Sequence, residues 1–156
     1  MERTIEGGCR CGAVRYSLAV ADLPPAYACH CQDCQTWTGS AFSEQCILPD
    51  NAITIIGPVE VYELSSPSGN LSRQRVCGVC PTRIYNTNSA RPGLIIVRAG
   101  TLDQSEALHV VAHIWTKRKQ SWISIPDGVP SWPEAAPIEA FAAIPVLDAL
   151  AESARS

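Results

Sequence analysis

Seven of the eight cysteines in this 156-residue chain fall into three short clusters, and that spacing constrains the fold more than any other feature. Cys9-Arg10-Cys11 is a CxC, Cys29-His30-Cys31-Gln32-Asp33-Cys34 is a CxCxxC, and Cys77-Gly78-Val79-Cys80 is a CxxC. A tight turn can aim two thiolates at one ion, and the glycines at 7, 8, 12 and 78 let the backbone fold tightly enough for its amides to face sulfur. The opening residues Met1-Glu2-Arg3-Thr4-Ile5-Glu6 lack the apolar stretch of a cleavable leader. No run approaches the roughly 18 apolar residues that span a bilayer. We therefore expect a soluble, cytoplasmic protein in a reducing compartment, where clustered thiols are metal ligands and not disulfides.

Counting ligands assigns the sites. A closed structural zinc takes four ligands in a tetrahedron, and two separated pairs supply them. Cys9, Cys11, Cys77 and Cys80 then make one Cys₄ site that joins the N-terminal strand to a distant hairpin. Cys29, Cys31 and Cys34 remain as three thiolates without a fourth, the arrangement of a catalytic zinc with an exchangeable position. The total is about two zinc ions per chain. In a second partition Cys77 and Cys80 complete the central cluster, which strands Cys9 and Cys11 as an idle pair.

The remaining candidates weigh less. Cys46, in the β-like run 42–48, reads as a small buried hydrophobe. His30, wedged between two ligands, is expected beside the metal's ligands or in solvent, since the same short loop cannot easily bring it onto the ion. His109 and His113 are four apart, as in a helical metal pair, but Val110, Val111 and Ile114 around them argue for a strand. Trp115, Trp122 and Trp132 could line a ligand cleft, and packing in a core or under a strap is the preferred reading. Asp33 and Ser40 are candidates to shuttle a proton, or equally to cap a loop.

Alternation predicts a mainly β domain of small antiparallel sheets. Val14, Tyr16, Leu18 and Val20 share one face. Ile53–Ile56 and 59–64 are β-rich and separated by the turn Gly57-Pro58. Further strands are expected at 71–76, 82–86, 94–99 and 109–115. Gln32–Thr38, closed by Gly39, predicts a short helix with a glycine cap. Pro126, Pro130, Pro133 and Pro137 predict an extended strap, followed by a short helix at 146–153 behind Pro145. Residues 1–136 would form one zinc-binding domain and 137–156 a tail. At this length a single domain buries roughly 68–70% of its unfolded surface, so metal need not supply all the folding energy.

With 46% hydrophobic and 17% charged residues the chain is globular in composition. Lys and Arg number 12 against 15 Asp and Glu, giving a net charge of −3 and no basic stripe for nucleic acid. The short cluster Lys117-Arg118-Lys119 reads as a solvated edge. We expect neither nucleic-acid nor membrane partners, and the sequence does not specify an oligomeric state.

The CxCxxC run, followed by Thr38-Gly39-Ser40-Ala41-Phe42, resembles the glutathione-dependent formaldehyde-activating enzyme and centromere protein V family. The likeness extends to Gly7-Gly8-Cys9-Arg10-Cys11-Gly12, to Cys77-Gly78-Val79-Cys80, and to His113-Ile114-Trp115-Thr116 with Trp122, over about residues 5 to 135. It implies a β-tent-like fold around a structural zinc on Cys9, Cys11, Cys77 and Cys80, and a reactive zinc on Cys29, Cys31 and Cys34. The activity it implies is carbon–sulfur lyase chemistry, joining formaldehyde to glutathione as S-(hydroxymethyl)glutathione. Two positions depart from the family pattern. Pro81 stands where a glycine is usual, and Gln35-Thr36 replace basic residues, which removes charge that would attract an anionic thiol.

Zinc stabilises the deprotonated form of a coordinated thiol, the form that adds to an aldehyde. Three thiolates make the metal electron-rich, which favours activation of a small thiol over polarisation of a small aldehyde. The competing reading is a non-catalytic binding module with two structural zincs. A CxxC redox protein is disfavoured because the βαβ context of that motif is missing.

Overall fold

The computed structural model describes residues 4–66, 68–137 and 139–140. The helix expected at 146–153, and most of the proposed tail, lie outside the described residues. By internal packing the chain divides into two compact units, Met1–Pro24 with Cys46–Leu108 and Pro25–Gln45 with His109–Ser156. Each is assembled from two separated stretches of sequence. Among the described residues no helix is long and apolar enough to cross a membrane.

The first unit is mainly β. A three-stranded sheet has the order β1-β2-β5, from β1 (Ile5–Gly8), β2 (Arg15–Leu18) and β5 (Ile53–Ile56). Both pairings are antiparallel. Val14, Tyr16 and Leu18 are buried on one face, as the period-two pattern requires. A second sheet runs in the order β4-β9-β8-β7-β6, from β4 (Ser43–Pro49), β6 (Val59–Ser65), β7 (Leu71–Cys77), β8 (Arg83–Asn88) and β9 (Leu94–Arg98). Leu48, Ile84, Ile95 and Val97 fill its core at 1% exposure or less. Gly57 carries the chain from β5 in one sheet to β6 in the other. Its φ is 107°, and a Cβ at this position would overlap the Ala13 carbonyl oxygen, so no side chain fits there.

The second unit is built around β3 (Ala26–Cys29), which pairs antiparallel with residues 43–45 of β4 and parallel with β10 (Val110–Ile114). All four residues of β3 are buried. A strand covered on both faces shows no alternation, which is why the sequence pattern does not announce it. β1 escapes the pattern for another reason, being half glycine. The proline-rich strap follows the outer edge of β10: His113 N–H donates to the Pro130 carbonyl, and Trp132 N–H to that of His113, both at 3.0 Å. Helix α1 (Gln32–Thr38) forms where the pattern predicts it, and it ends on Gly39 at φ 64°, whose N–H donates to the Gln35 carbonyl.

Candidate metal centres

Cys9 and Cys11 lie in the turn after β1, Cys77 ends β7, and Cys80 sits in the turn to β8. Their four sulfurs are within 4.8 Å of one another. The Cys9–Cys11 separation is 3.5 Å and the Cys11–Cys77 separation 3.8 Å. Sulfurs about 2.3 Å from a tetrahedral zinc stand about 3.8 Å apart, so the spacing is that of a thiolate metal site. No disulfide joins any of the eight cysteines.

The backbone supports negative sulfur here. Val14 N–H donates to Cys9 Sγ at 3.2 Å, and Val79 and Cys80 N–H donate to Cys77 Sγ at 3.3 and 3.4 Å. The Thr82 hydroxyl, with the Thr82 amide, holds the Cys80 thiol down at about 5. The Ala13 amide pulls Cys11 down too, but burial and the sulfurs of Cys9, Cys80 and Cys77 outweigh it and raise that thiol to about 11. Four thiolates in so small a volume repel one another, and a divalent cation removes the conflict.

The second cluster comes from one continuous loop. Cys29 ends β3, Cys31 caps α1, and Cys34 lies in the helix's first turn; Cys29 and Cys34 are buried and Cys31 is half-buried. Their sulfurs also lie within 4.8 Å of one another. Cys34 N–H donates to Cys31 Sγ at 3.4 Å, and Gln45 Nε2 donates to Cys34 Sγ at 3.5 Å. Hydrogen bonds from Cys29 and Cys34 hold Cys31 down at about 2, while Cys31, Cys34 and burial push Cys29 far up. Among the described residues no fourth Cys, His, Asp or Glu ligand joins this group, and Cys77 and Cys80 fall with Cys9 and Cys11. The sulfurs therefore group as four and three, and not as in the alternative partition. Either cluster could hold a metal ion, and all-thiolate sets at this spacing are consistent with zinc.

His30 belongs to neither group of sulfurs, and it is not in solvent. It is fully buried, stacked against His113 at 5.1 Å between ring centroids, with Nε2 2.8 Å from His113 Nδ1. Burial first, and the charge of His113 second, lower its pKa to about 4, so the ring is neutral. His30 Nδ1 has no partner among the described residues. The tautomer with the proton on Nε2, donated to His113, leaves a bare acceptor there instead of a more costly orphaned N–H. The loop carrying the three thiols is thus anchored to β10 through a histidine pair. His113 lies on a strand as expected, but no local pattern pointed to its partner, 83 positions away. Cys46 is fully buried with Sγ 3.7 Å from the Pro24 carbonyl oxygen and joins neither cluster, in keeping with its β-like surroundings. Asp33 joins neither cluster.

A groove of about 550 Å³ runs along the outer side of α1, lined among others by Gln32, Gln35, Thr36, Ser40, Gln120 and Trp122. Trp122 is 71% exposed, so the expectation that it packs in a core or strap is corrected. Trp115 and Trp132 are half-buried. Gln35 Nε2 donates to the His30 carbonyl at 2.8 Å and to that of Arg118 at 2.9 Å. Gln35, Gln120 and Trp122 belong to no ligand motif, so spacing rules pass over them as a group. The available signal was the placement of Gln32, Gln35 and Thr36 at helical spacing on one face of α1.

The sequence profile of the glutathione-dependent formaldehyde-activating enzyme family matches residues 4–118. A solved structure of a Rhodobacter sphaeroides protein superposes with a TM-score of 0.50 at 14% identity, covering 81% of this chain and 99% of that one. That likeness is one of fold. No curated protein matches the chain.

Proposed function

The chain belongs to the glutathione-dependent formaldehyde-activating enzyme family, and from that premise we propose that Cys29, Cys31 and Cys34 hold a zinc ion at which a small thiol is activated to add to formaldehyde or a related small aldehyde. Cys9, Cys11, Cys77 and Cys80 would hold a second, structural zinc. The observation that supports this division is the ligand count, four sulfurs in one cluster and three in the other. When bound, the ion of the three-thiol site supplies a cation that keeps a fourth, incoming sulfur deprotonated.

The chain's own residues do the rest. Cys34 N–H and Gln45 Nε2 direct hydrogen bonds at ligand sulfurs, which holds the thiolates in place and tempers their charge. The neutral His30–His113 pair fixes the loop without adding charge beside it. In the reaction the thiol sulfur bonds to the carbonyl carbon, and the proton lost from the thiol ends on the new hydroxyl. That is carbon–sulfur lyase chemistry run in the direction of synthesis.

Cobalt substitution tests the reading, because the visible bands of a thiolate–cobalt centre change when another sulfur joins. Adding glutathione or another small thiol should alter only the part of the spectrum that Cys34→Ser removes. Formaldehyde consumption should exceed the uncatalysed background and fall to it in the same variant. Silence towards every thiol would leave the non-catalytic module with two structural metals as the better account.

A further inference from the structure

Strand β6 (Val59–Ser65) ends the order β4-β9-β8-β7-β6, and among the described residues its ladder partner is β7 alone. The N–H and C=O groups along its outer side are therefore left for another strand. β10 also has an outer edge, but there the proline strap takes the His113 N–H and returns that of Trp132. Proteins blunt a bare edge with lysine, proline, a bulge or a very short strand, and β6 has none of these. It is seven residues long, contains neither Lys nor Pro, and keeps unbroken register with β7 from Val59↔Cys77 to Ser65↔Leu71. Val61 on one face, and Tyr62 and Leu64 on the other, are 53%, 55% and 40% exposed. Apolar side chains left bare on both faces of a regular edge are what a pairing strand covers.

The two acids of the strand, Glu60 and Glu63, decide which partner fits. Laid antiparallel on a second copy of itself about Tyr62, β6 pairs along its whole length. Tyr62 then meets Tyr62, Val61 faces Glu63, Glu60 faces Leu64, and Val59 faces Ser65. No acid opposes an acid. A register centred between Val61 and Tyr62 would instead set Glu60 against Glu63 twice, and like charges directly opposite are destabilising. The strand behind is complementary in charge. Val61 is paired with Arg75, and Glu63 with Arg73, whose Nε donates to Glu63 Oε2 at 2.9 Å. In the Tyr62-centred pairing each Glu63 lies between Arg73 of its own copy and the Val61–Arg75 row of the other, so arginine backs the acid from both sides.

We propose that β6 is an interface between two copies of this chain, which join through antiparallel β6 strands centred on Tyr62 into one continuous sheet.

Sedimentation equilibrium and amide hydrogen exchange on the full zinc-loaded chain test this. One strand pair is small beside the roughly 800 Å² that each partner gives to a standard interface, so the mass should climb from one chain to two over about 1–100 µM. Exchange of the β6 amides should slow over the same range, a readout that needs no substitution. Tyr62→Lys sets two ammonium groups together on the two-fold axis and should weaken the dimer by about 30-fold or more. Val61→Glu opposes Glu63 and should also weaken it, whereas Val61→Lys faces that carboxylate and should keep the dimer or tighten it. Unchanged exchange in β7 and β8 verifies that each variant is folded. A single-chain mass at every concentration overturns the proposal, as does a dimer whose β6 amides exchange freely. Equal weakening by Val61→Glu and Val61→Lys would overturn the Tyr62-centred register. Slow β6 exchange that is independent of concentration would assign the edge to a segment of the same chain, and the second copy would fall.

Discussion

Cys11 meets Cys77 across 66 positions of sequence, whereas Cys29, Cys31 and Cys34 come from six consecutive residues. Both clusters are all-sulfur, and both receive backbone N–H groups at a ligand sulfur. They differ in what must already be folded for the sulfurs to meet. Closing the long loop costs about 2 kcal/mol more than closing the short one, even for an ideal flexible chain. In the four-thiol site the β1–β2 turn and the β7–β8 turn are brought together by the sheets behind them and by the Arg10 N–H, which donates to the Thr82 hydroxyl at 3.3 Å. On the proposed reading, an ion bound there would contribute its binding energy to folding. In the three-thiol cluster a strand end and one turn of helix arrange the sulfurs locally, so on the proposed reading an ion there would contribute less to the fold.

The sharpest way to break that contrast is to remove one sulfur from each cluster. Cys80→Ser should lower stability by about 5 kcal/mol or more and remove most cooperative melting. Cys34→Ser should cost about 1–2 kcal/mol and leave a folded protein. Thermal melts by circular dichroism, with metal analysis, check both. Wild-type protein should carry two zinc ions per chain, the first lost to mild chelation without unfolding. Equal melting losses would make the central cluster structural.

Two glycines sharpen the comparison at the level of the backbone. Gly57→Ala drives a methyl into the Ala13 carbonyl, beside the turn that presents Cys9 and Cys11, and should cost about 3 kcal/mol or more. Gly39→Ala meets nothing within 4 Å and only strains the left-handed cap of α1, for about 1 kcal/mol. Denaturant unfolding measures both, and similar losses would show that the helix cap is as tightly constrained as the sheet crossover.

Pro81 follows Cys80 at φ 31°, on the side of conformational space its ring disfavours. The resemblance read from the sequence implies a glycine at this position. Pro81→Gly should relieve that strain and raise stability by about 1 kcal/mol, tightening zinc retention in the four-thiol site alone. A loss of stability would mean that proline's restriction of the unfolded chain outweighs the strain.

The smallest effect concerns an ion pair on the first unit's surface. Arg15 donates to both carboxylate oxygens of Asp103, one of them at 2.9 Å, and this holds the carboxyl below its usual range. A lowered folded-state pKa adds stability above the unfolded value and loses it as pH falls through the folded one. Asp103→Asn should therefore cost about 0.5 kcal/mol at pH 7, screened as the pair is by solvent, and nothing near pH 2. A difference that persists in acid would assign the loss to packing.

The cysteine spacing by itself marked the three clusters and favoured the division into four and three, but that Cys77 and Cys80 join Cys9 and Cys11, and not the central cluster, was decided by the tertiary structure. Local patterns also determined α1 with its Gly39 cap, the alternating β2, and the strap of prolines, since each depends on interactions within a few residues. β3 was invisible because burial on both faces erases alternation. The same holds for every feature whose partner is distant in sequence. His30 meets His113 only because β10 lies parallel to β3, a pairing that no local pattern encodes. Trp122 looked like a core aromatic by composition, and it became a groove wall because Gln120 and Gln35 hold it over α1. Sequence specifies which atoms can bind a metal; only the tertiary structure decides which of them meet, which are sealed from water, and what surface is left beside them.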